Sequence, residues 1–374
     1  MKILALNWQD LTNPMAGGAE VHLEELLTRL AAAGHEITLF CSSYPGARAE
    51  ETIGGIKIIR RGNRYNFNII APFALRRLVR EEKFDLLIED INKIPFYTPL
   101  YLKIPTLVVV PHLFSTTVFK EINFLLGLYI YLAEKPLVPL YRGRLFNVIS
   151  ESTADDIARR GIRRDDISVV HCGIDEKLYN YDPAMVKFEK PTVLYLGRIK
   201  KYKSIDHLIL AFRSLLDDIP EAELKIIGSG DYLGQLKKLA GQLKIENKVL
   251  FPGFVSKEEK VRFMRQSHVA VYPSLKEGWG LTNIEANACG TAVVAANSPG
   301  LRDSVVDNQT GFLYEYGNTD QLAERLLRVL TDQLLRESLE RGVLAWAKRF
   351  DWDIAAKRIE WSPPETIHRA AKGS

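Results

Sequence analysis

The feature that most narrows the fold is an alternation that is run through twice. Short β-branched runs, "KILALNW" (2–8), "EITLFC", "IKIIRR", "FDLLIED", "PTLVVV", "LFNVIS" and "ISVV", are interleaved with helical patterns such as "AEVHLEELLTRLAAAG". Strand and helix signals in that order predict a parallel sheet covered by helices. The stretch "GIDEKLYNYDPAMVKFEKP" (173–191) then breaks the pattern: it is polar, carries two prolines and shows no sustained period, so it reads as a linker. After it the alternation restarts with "TVLYLG", a helix from about Ser204, "ELKIIG", a helix from about Tyr232, "KVLFPG", "VAVYPS" and "TAVVAA".

A chain of 374 residues exceeds one ordinary core. The expectation is therefore two Rossmann-like, doubly wound α/β domains, residues 1–172 and 191–350, joined by a linker at 173–190. A last amphipathic helix at about 351–374 has a resting place, the first domain included, that composition leaves open. Folds of this kind bind ligands at the C-terminal edges of their strands, and two in series are expected to face a central cleft.

Charge and cysteine content exclude several classes. Fifty basic against 46 acidic residues leave a formal net charge of only +4, which gives no support to nucleic-acid binding. Three widely spaced cysteines, Cys41, Cys172 and Cys289, form neither a disulfide framework nor a CxxC metal pair and fit a reducing compartment. "MKILALNWQDLTNP" lacks the apolar core and cleavage site of a signal peptide, so a cytoplasmic location is expected. The apolar run "INFLLGLYIYLA" (122–133) is too short to span a bilayer, which takes about 20 residues. A buried helix of the first domain's core is the expectation for it. The alternative, prompted by Tyr129, Tyr131, Arg142 and Arg144, is peripheral contact with a membrane.

Three loops carry the chemistry. In "EGWGLTNIEANACG" (277–290), glycines follow a strand and a helix begins at Leu281. Gly278 and Gly280 permit positive φ and close ligand approach, and the amides of Leu281, Thr282 and Asn283 form an anion site suited to phosphate. Glu277 and Glu285 could then accept hydrogen bonds from sugar hydroxyls, against the plainer reading of Glu285 as a solvated helix face and Glu277 as a dipole partner. In "GRIKKYKSIDHL", Arg198 and Lys203 at a strand's C-terminal end suit a diphosphate, while Lys200 and Lys201 read as surface cations. In "NPMAGGAEVHLEELL", Gly17 and Gly18 form a turn before a helix N-terminus that could approach a phosphate or a sugar.

Taken together and in this order, these stretches resemble the retaining GT-B glycosyltransferases of family GT4. The resemblance runs along almost the whole chain, through "GGAEVHLEELLTRLAAAGHEITLF", "YLGRIKKYKSID", "GSGDYLGQL", "VLFPGFVSKEE" and "VAVYPSLKEGWGLTNIEANACGTAVVAANSPG". Glu277 and Glu285 match the family's E-x7-E motif. The resemblance implies sugar transfer from a nucleotide diphosphate, a UDP-sugar by preference, with configuration kept and with neither metal nor cofactor. It implies that Arg198 and Lys203 neutralise the leaving diphosphate, that Glu277 holds the donor sugar and that Glu285 holds the ribose. The amides of Leu281 to Asn283 would take the distal phosphate, Gly228 and Gly230 with Phe254 and Val255 would border the base, and Gly18 would face the phosphates. His112 falls where the family places an active-site histidine. The chain departs from the family at Thr282, where proline is usual, and at Ser204, where glycine is usual. Cys172 likewise replaces an asparagine.

On the acceptor side, Asp90 and Asn92 end a strand, where they could hold a hydroxyl of a glycan or a lipid-linked acceptor. "DWD" (351–353) has the form of a metal-binding DxD but reads as a helix cap. "GSGDYLG" misses the spacing of a dinucleotide fingerprint. The competing readings are a nucleotide-sugar epimerase of related fold and a non-catalytic nucleotide-sugar binding protein.

Overall fold

The computed structural model describes residues 1–121 and 123–360, so Ile122 of the apolar run and the last helix beyond 360 lie outside the described residues. The chain divides into two units: Met1–Gly173 together with the chain from Trp352, and Ile174–Asp351.

The first unit is built on eight strands, β1 (Lys2–Leu6), β2 (Glu36–Cys41), β3 (Glu50–Ile53), β4 (Ile56–Arg60), β5 (Leu86–Asp90), β6 (Thr106–Val110), β7 (Leu145–Val148) and β8 (Ile167–Val169). Their order across the sheet is β3-β4-β2-β1-β5-β6-β7-β8, and every pair is parallel except β3 with β4. That exception is a hairpin whose turn, Gly54–Gly55, has φ of 57° and 82°, the left-handed backbone that a tight hairpin needs. β5 and β6 are buried along their whole length, because helices cover both faces; this is why their sequences are continuous apolar runs.

The first helix, Gly18–Ala32, buries Leu23, Leu26, Leu27 and Leu30 on one stripe. Against it lies the helix Trp352–Glu360, with the Trp352 ring 5.8 Å from that of His22 and Asp353 paired to Arg29 at 2.6 Å. "DWD" therefore spends Asp353 on an ion pair that anchors the chain's return.

The apolar run corrects an expectation. Its helix, Phe124–Glu134, is not a buried element of the core: Phe124, Leu125, Leu126, Tyr129 and Leu132 are exposed large hydrophobics. Only its inner side, Ile130 and Ala133, packs on the core beside Ala74 and Leu78 of the helix Phe67–Glu81.

In the second unit, β9 (Thr192–Leu196), β10 (Glu223–Ile227), β11 (Val249–Gly253), β12 (Val269–Tyr272), β13 (Val293–Ala296) and β14 (Gly311–Tyr314) form a parallel sheet in the order β11-β10-β9-β12-β13-β14. The strand order reverses between β9 and β12, which opens a crevice at their C-terminal ends. Residues 175–190 form neither helix nor strand, although Tyr179 within them is buried.

Candidate functional site

The loops leaving β9 and β12 bring the Gly-Arg and E-x7-E elements together. After β9, Gly197 turns at φ 157°, Arg198 reaches solvent with its guanidinium 3.2 Å from the Tyr202 hydroxyl, and the Arg198 carbonyl accepts from Tyr195 at 2.9 Å. Ser204, in the place of a family glycine, sits at φ 51°, a left-handed backbone that costs an L-residue about 1–2 kcal/mol. Lys203 immediately precedes that bend. Its ammonium forms an ion pair with Glu277 and lies 5.2 Å from the Tyr202 ring centre. Neither partner of the pair is fully buried, with side chains 14% and 21% exposed, so an incoming anion can reach the lysine.

The Glu277 loop is clamped from β13. The Glu277 N–H donates to the Pro299 carbonyl at 3.0 Å, and Ser298 donates to the Ser274 carbonyl at 2.8 Å. Gly300 has φ 82°, and a Cβ there would stand 2.1 Å from the Glu277 carbonyl oxygen. The loop "NSPG" thus fixes the glutamate from behind, a role that its sequence did not announce.

The helix Leu281–Ala288 offers less to an anion than three amides. The Leu281 N–H donates to Trp279 at 2.9 Å and the Asn283 N–H to Gly280 at 2.8 Å. The Thr282 amide is the one of the three left without an acceptor among the described residues, an N–H that the family's proline would lack. Gly280 is needed for space rather than for positive φ: it lies at φ −80°, and a Cβ would meet Ser304 Oγ at 2.2 Å and Asn283 Nδ2 at 2.6 Å. Asn283 is buried and donates to Ser304 at 2.7 Å, so its side chain braces the turn.

Glu285 is no solvated face. It is buried, bonded to Lys260 at 2.6 Å, and Lys260 also reaches the Tyr179 hydroxyl at 2.9 Å. Neither Lys260, on the helix Lys257–Gln266, nor Tyr179, in the linker, carried a motif. A buried carboxylate's need for a cation is the signal that could have found the lysine.

Gly228 and Gly230, after β10, are demanded by neighbouring backbone. A Cβ at either would come within 1.9 Å of a carbonyl oxygen, that of Gly197 or that of Ile199. The Gly228 amide donates to Gly253 at 2.9 Å, which brings the end of β11 alongside. There Phe254 is 86% exposed and Val255 half-buried.

In the first unit, Gly17 and Gly18 have no left-handed backbone; a Cβ at Gly18 would meet nothing within 4 Å. Space beside this helix N-terminus is open. Glu20 holds the turn, accepting from the Gly17 N–H at 2.7 Å and from Gln9 and Asn92, each at 3.0 Å. Asn92 is therefore a strut from the loop after β5 to the glycine turn. His112, just beyond β6, is half-buried with its ring 5.0 Å from that of Phe114.

Asp90 departs from the expected open edge. It is completely buried, and neither carboxylate oxygen has a hydrogen-bond partner among the described residues. Burial first, then the nearby charge of Glu20, push its carboxyl well above the usual range, with Lys93 opposing. Because the folded value is raised, the stability tied to the protonated form is complete below the unfolded value and drains away as pH climbs toward the folded one. Asp90→Asn, which removes the titration, is expected to raise the melting temperature by about 2–4 °C at pH 8, with the gain shrinking toward pH 4. Melting curves across that range check it; a gain independent of pH would contradict it.

Among the described residues no group of three His, Cys, Asp or Glu side chains is placed to hold a metal ion, and Cys41, Cys172 and Cys289 are free and buried.

Comparison with known proteins gives the fold and the class of enzyme. The family "Glycosyltransferase Family 4" matches residues 16–178 and "Glycosyl transferases group 1" matches residues 184–343. An uncharacterized glycosyltransferase of Methanocaldococcus jannaschii is 26% identical, over 96% of each chain. Phosphatidyl-myo-inositol mannosyltransferase of Mycolicibacterium smegmatis is also 26% identical, over 92% of this chain and 89% of its own. Among solved structures, sucrose-phosphate synthase of Thermosynechococcus elongatus superposes with a TM-score of 0.83 at 20% identity, covering 98% and 99% of the two chains. HepE of Anabaena, in complex with UDP and glucose, gives 0.77 at 19%, covering 98% and 100%. Fold and loops together define a glycosyltransferase of the GT-B architecture. The chain belongs to glycosyltransferase family 4, GT4.

Proposed function

We propose that this glycosyltransferase moves a sugar from a nucleotide diphosphate, UDP by preference, to a hydroxyl of a glycan or glycolipid, with the anomeric configuration kept and without a metal. The observation that carries the reading is the Lys203–Glu277 pair at the strand-order reversal, with Arg198 in the same loop and the Thr282 amide at the adjoining helix end. The two cations and the amide supply positive charge where a leaving diphosphate gathers negative charge, the work a metal does elsewhere. Glu277 accepts hydrogen bonds from the sugar, Glu285 from the ribose, and Phe254 covers the base. As the bond from the anomeric carbon to phosphate oxygen breaks, its electron pair leaves on the diphosphate. The acceptor oxygen bonds to the same face of that carbon, and its proton passes to the departing phosphate. UDP is supported by the bound UDP of the HepE structure. The roles of His112, Gly17 and Gly18 rest on the family resemblance.

The test is product stereochemistry by proton NMR, with α-linked UDP-sugars, glycan and glycolipid acceptors, and EDTA present. An α-linked product formed at an undiminished rate is expected. A β-linked product, or loss of turnover to EDTA, would contradict the proposal.

A further inference from the structure

The exposed side of the helix Phe124–Glu134 is continuous with a second exposed apolar face. On the helix Phe67–Glu81, Ile69 and Phe73 lie one turn apart and are 65% and 70% exposed, and Tyr65, just before the helix, is 84% exposed. Asn68 donates to the Tyr129 hydroxyl at 2.9 Å, and both helices pack their inner sides on one core cluster, so the two faces adjoin. Contiguous exposed apolar surface of this extent marks an interaction site.

Charge says what covers it. Residues 61–80 contain five arginines, of which Arg61 and Arg77 are paired with Glu50 and Glu81. Arg76 and Arg80 continue the Ile69–Phe73 face at helical spacing, and both are exposed. Residues 123–150 contain Lys135, Arg142 and Arg144 against a single acid, Glu134. Glu134 is buried and accepts from the Phe114 and Ser115 amides at 2.7 and 3.0 Å. The surface therefore presents apolar side chains with Arg76, Arg80 and Lys135 at its margin, the pattern of an interfacial helix on an anionic leaflet. The Glu134 bonds also tie the apolar helix to the loop that begins at His112.

We propose that the Tyr65–Phe73 and Phe124–Leu132 faces together dock the first unit on an anionic bilayer, presenting it to an acceptor carried on a lipid; the acceptor half of this statement rests on the transferase reading above. No helix among the described residues is long and apolar enough to cross a membrane, so the attachment is one of apolar side chains and charge.

Co-sedimentation of the full chain with vesicles of phosphatidylcholine, alone or mixed with phosphatidylglycerol, tests it. Binding to the mixed vesicles, weakened by salt, is expected. The Leu125→Glu/Leu126→Glu variant should abolish it, and Arg76→Gln and Arg80→Gln should each weaken it about five-fold. All four side chains are exposed, so the variants should keep the parent's circular dichroism and its melting shift with UDP. Absence of vesicle binding, binding that survives Leu125→Glu/Leu126→Glu, or a dimer in analytical ultracentrifugation that those substitutions dissolve without any vesicle binding would each overturn the proposal. Vesicle binding is read without substrate. Its failure beside an intact UDP shift removes the docking surface alone, and a missing UDP shift beside intact vesicle binding removes the UDP preference alone.

Discussion

Lys203→Ala is expected to lower kcat for sugar transfer about 10²–10³-fold, the loss typical of removing one preorganised stabiliser of developing negative charge. It should also weaken binding of the nucleoside diphosphate. Glu277→Gln separates the two effects. In the free protein the Glu277 carboxylate holds the Lys203 ammonium, which in the proposed complex faces the diphosphate instead. Glutamine keeps the hydrogen-bonding shape but releases that lysine, so UDP affinity should hold or rise while kcat falls by a comparable factor. Opposite movements of binding and rate from one substitution are hard to obtain from a merely structural pair. Steady-state kinetics with calorimetric UDP binding for both variants checks this. Parallel loss of both quantities in Glu277→Gln would mean that the glutamate only props up the loop.

The largest effect on stability is expected at Arg60. Its side chain is fully enclosed beside Asp10, which is 1% exposed, with Nε at 2.6 Å from the carboxylate. The guanidinium also donates to the Arg48 carbonyl and the Thr12 hydroxyl, each at 3.0 Å, and pairs with Glu51. Asp10 further accepts from the Thr12 amide at 2.9 Å and from Cys41 Sγ at 3.3 Å. This network fixes the loop between β1 and the Gly17–Gly18 turn. Arg60→Ala strands a buried carboxylate and is expected to cost about 3–5 kcal/mol, a fall of roughly 10 °C in melting temperature for a unit of this size. If the cost is the orphaned charge, Arg60→Met with Asp10→Leu should recover most of it. Burial alone would raise the Asp10 carboxyl, but the hydrogen bonds from Arg60 and Thr12 hold it below the usual value. The network's contribution is therefore complete above the unfolded value and is lost as pH falls through the folded one. Thermal melts of single and double variants at several pH values check this; a double variant no better than Arg60→Ala would contradict it.

What could be read in advance follows from local rules. Buried parallel strands announce themselves as apolar runs, and Gly197–Arg198, Lys203 and Glu277 sit in the loops after strands that the alternation already located, with Glu285 on the helix that follows. β3 escaped because "EETI" is an edge strand whose residues are exposed or half-buried, so it has no apolar run. Lys260 and Tyr179 escaped because their partnership with Glu285 spans 25 and 106 positions of sequence and has no period to betray it. Asp90 was placed at the right strand end, but whether a terminal carboxylate faces solvent or core depends on what the neighbouring helix covers. The apolar helix hides its exposed face for a related reason. "FLLGLYIYLA" has no polar side, so its pattern holds no record of which face meets water.

Whether the crevice at the β9–β12 reversal holds a nucleoside diphosphate is tested most directly by thermal melting of the whole chain with UDP, GDP, ADP and TDP and their sugars. A ligand at a hundredfold excess over its Kd should add about 2.7 kcal/mol to the stability of the form that binds it. Such a rise is expected with one nucleotide, UDP foremost, and a smaller rise with the same ligand in Lys203→Ala. Melting curves unmoved by every nucleotide, or a rise unchanged in Lys203→Ala, would contradict it.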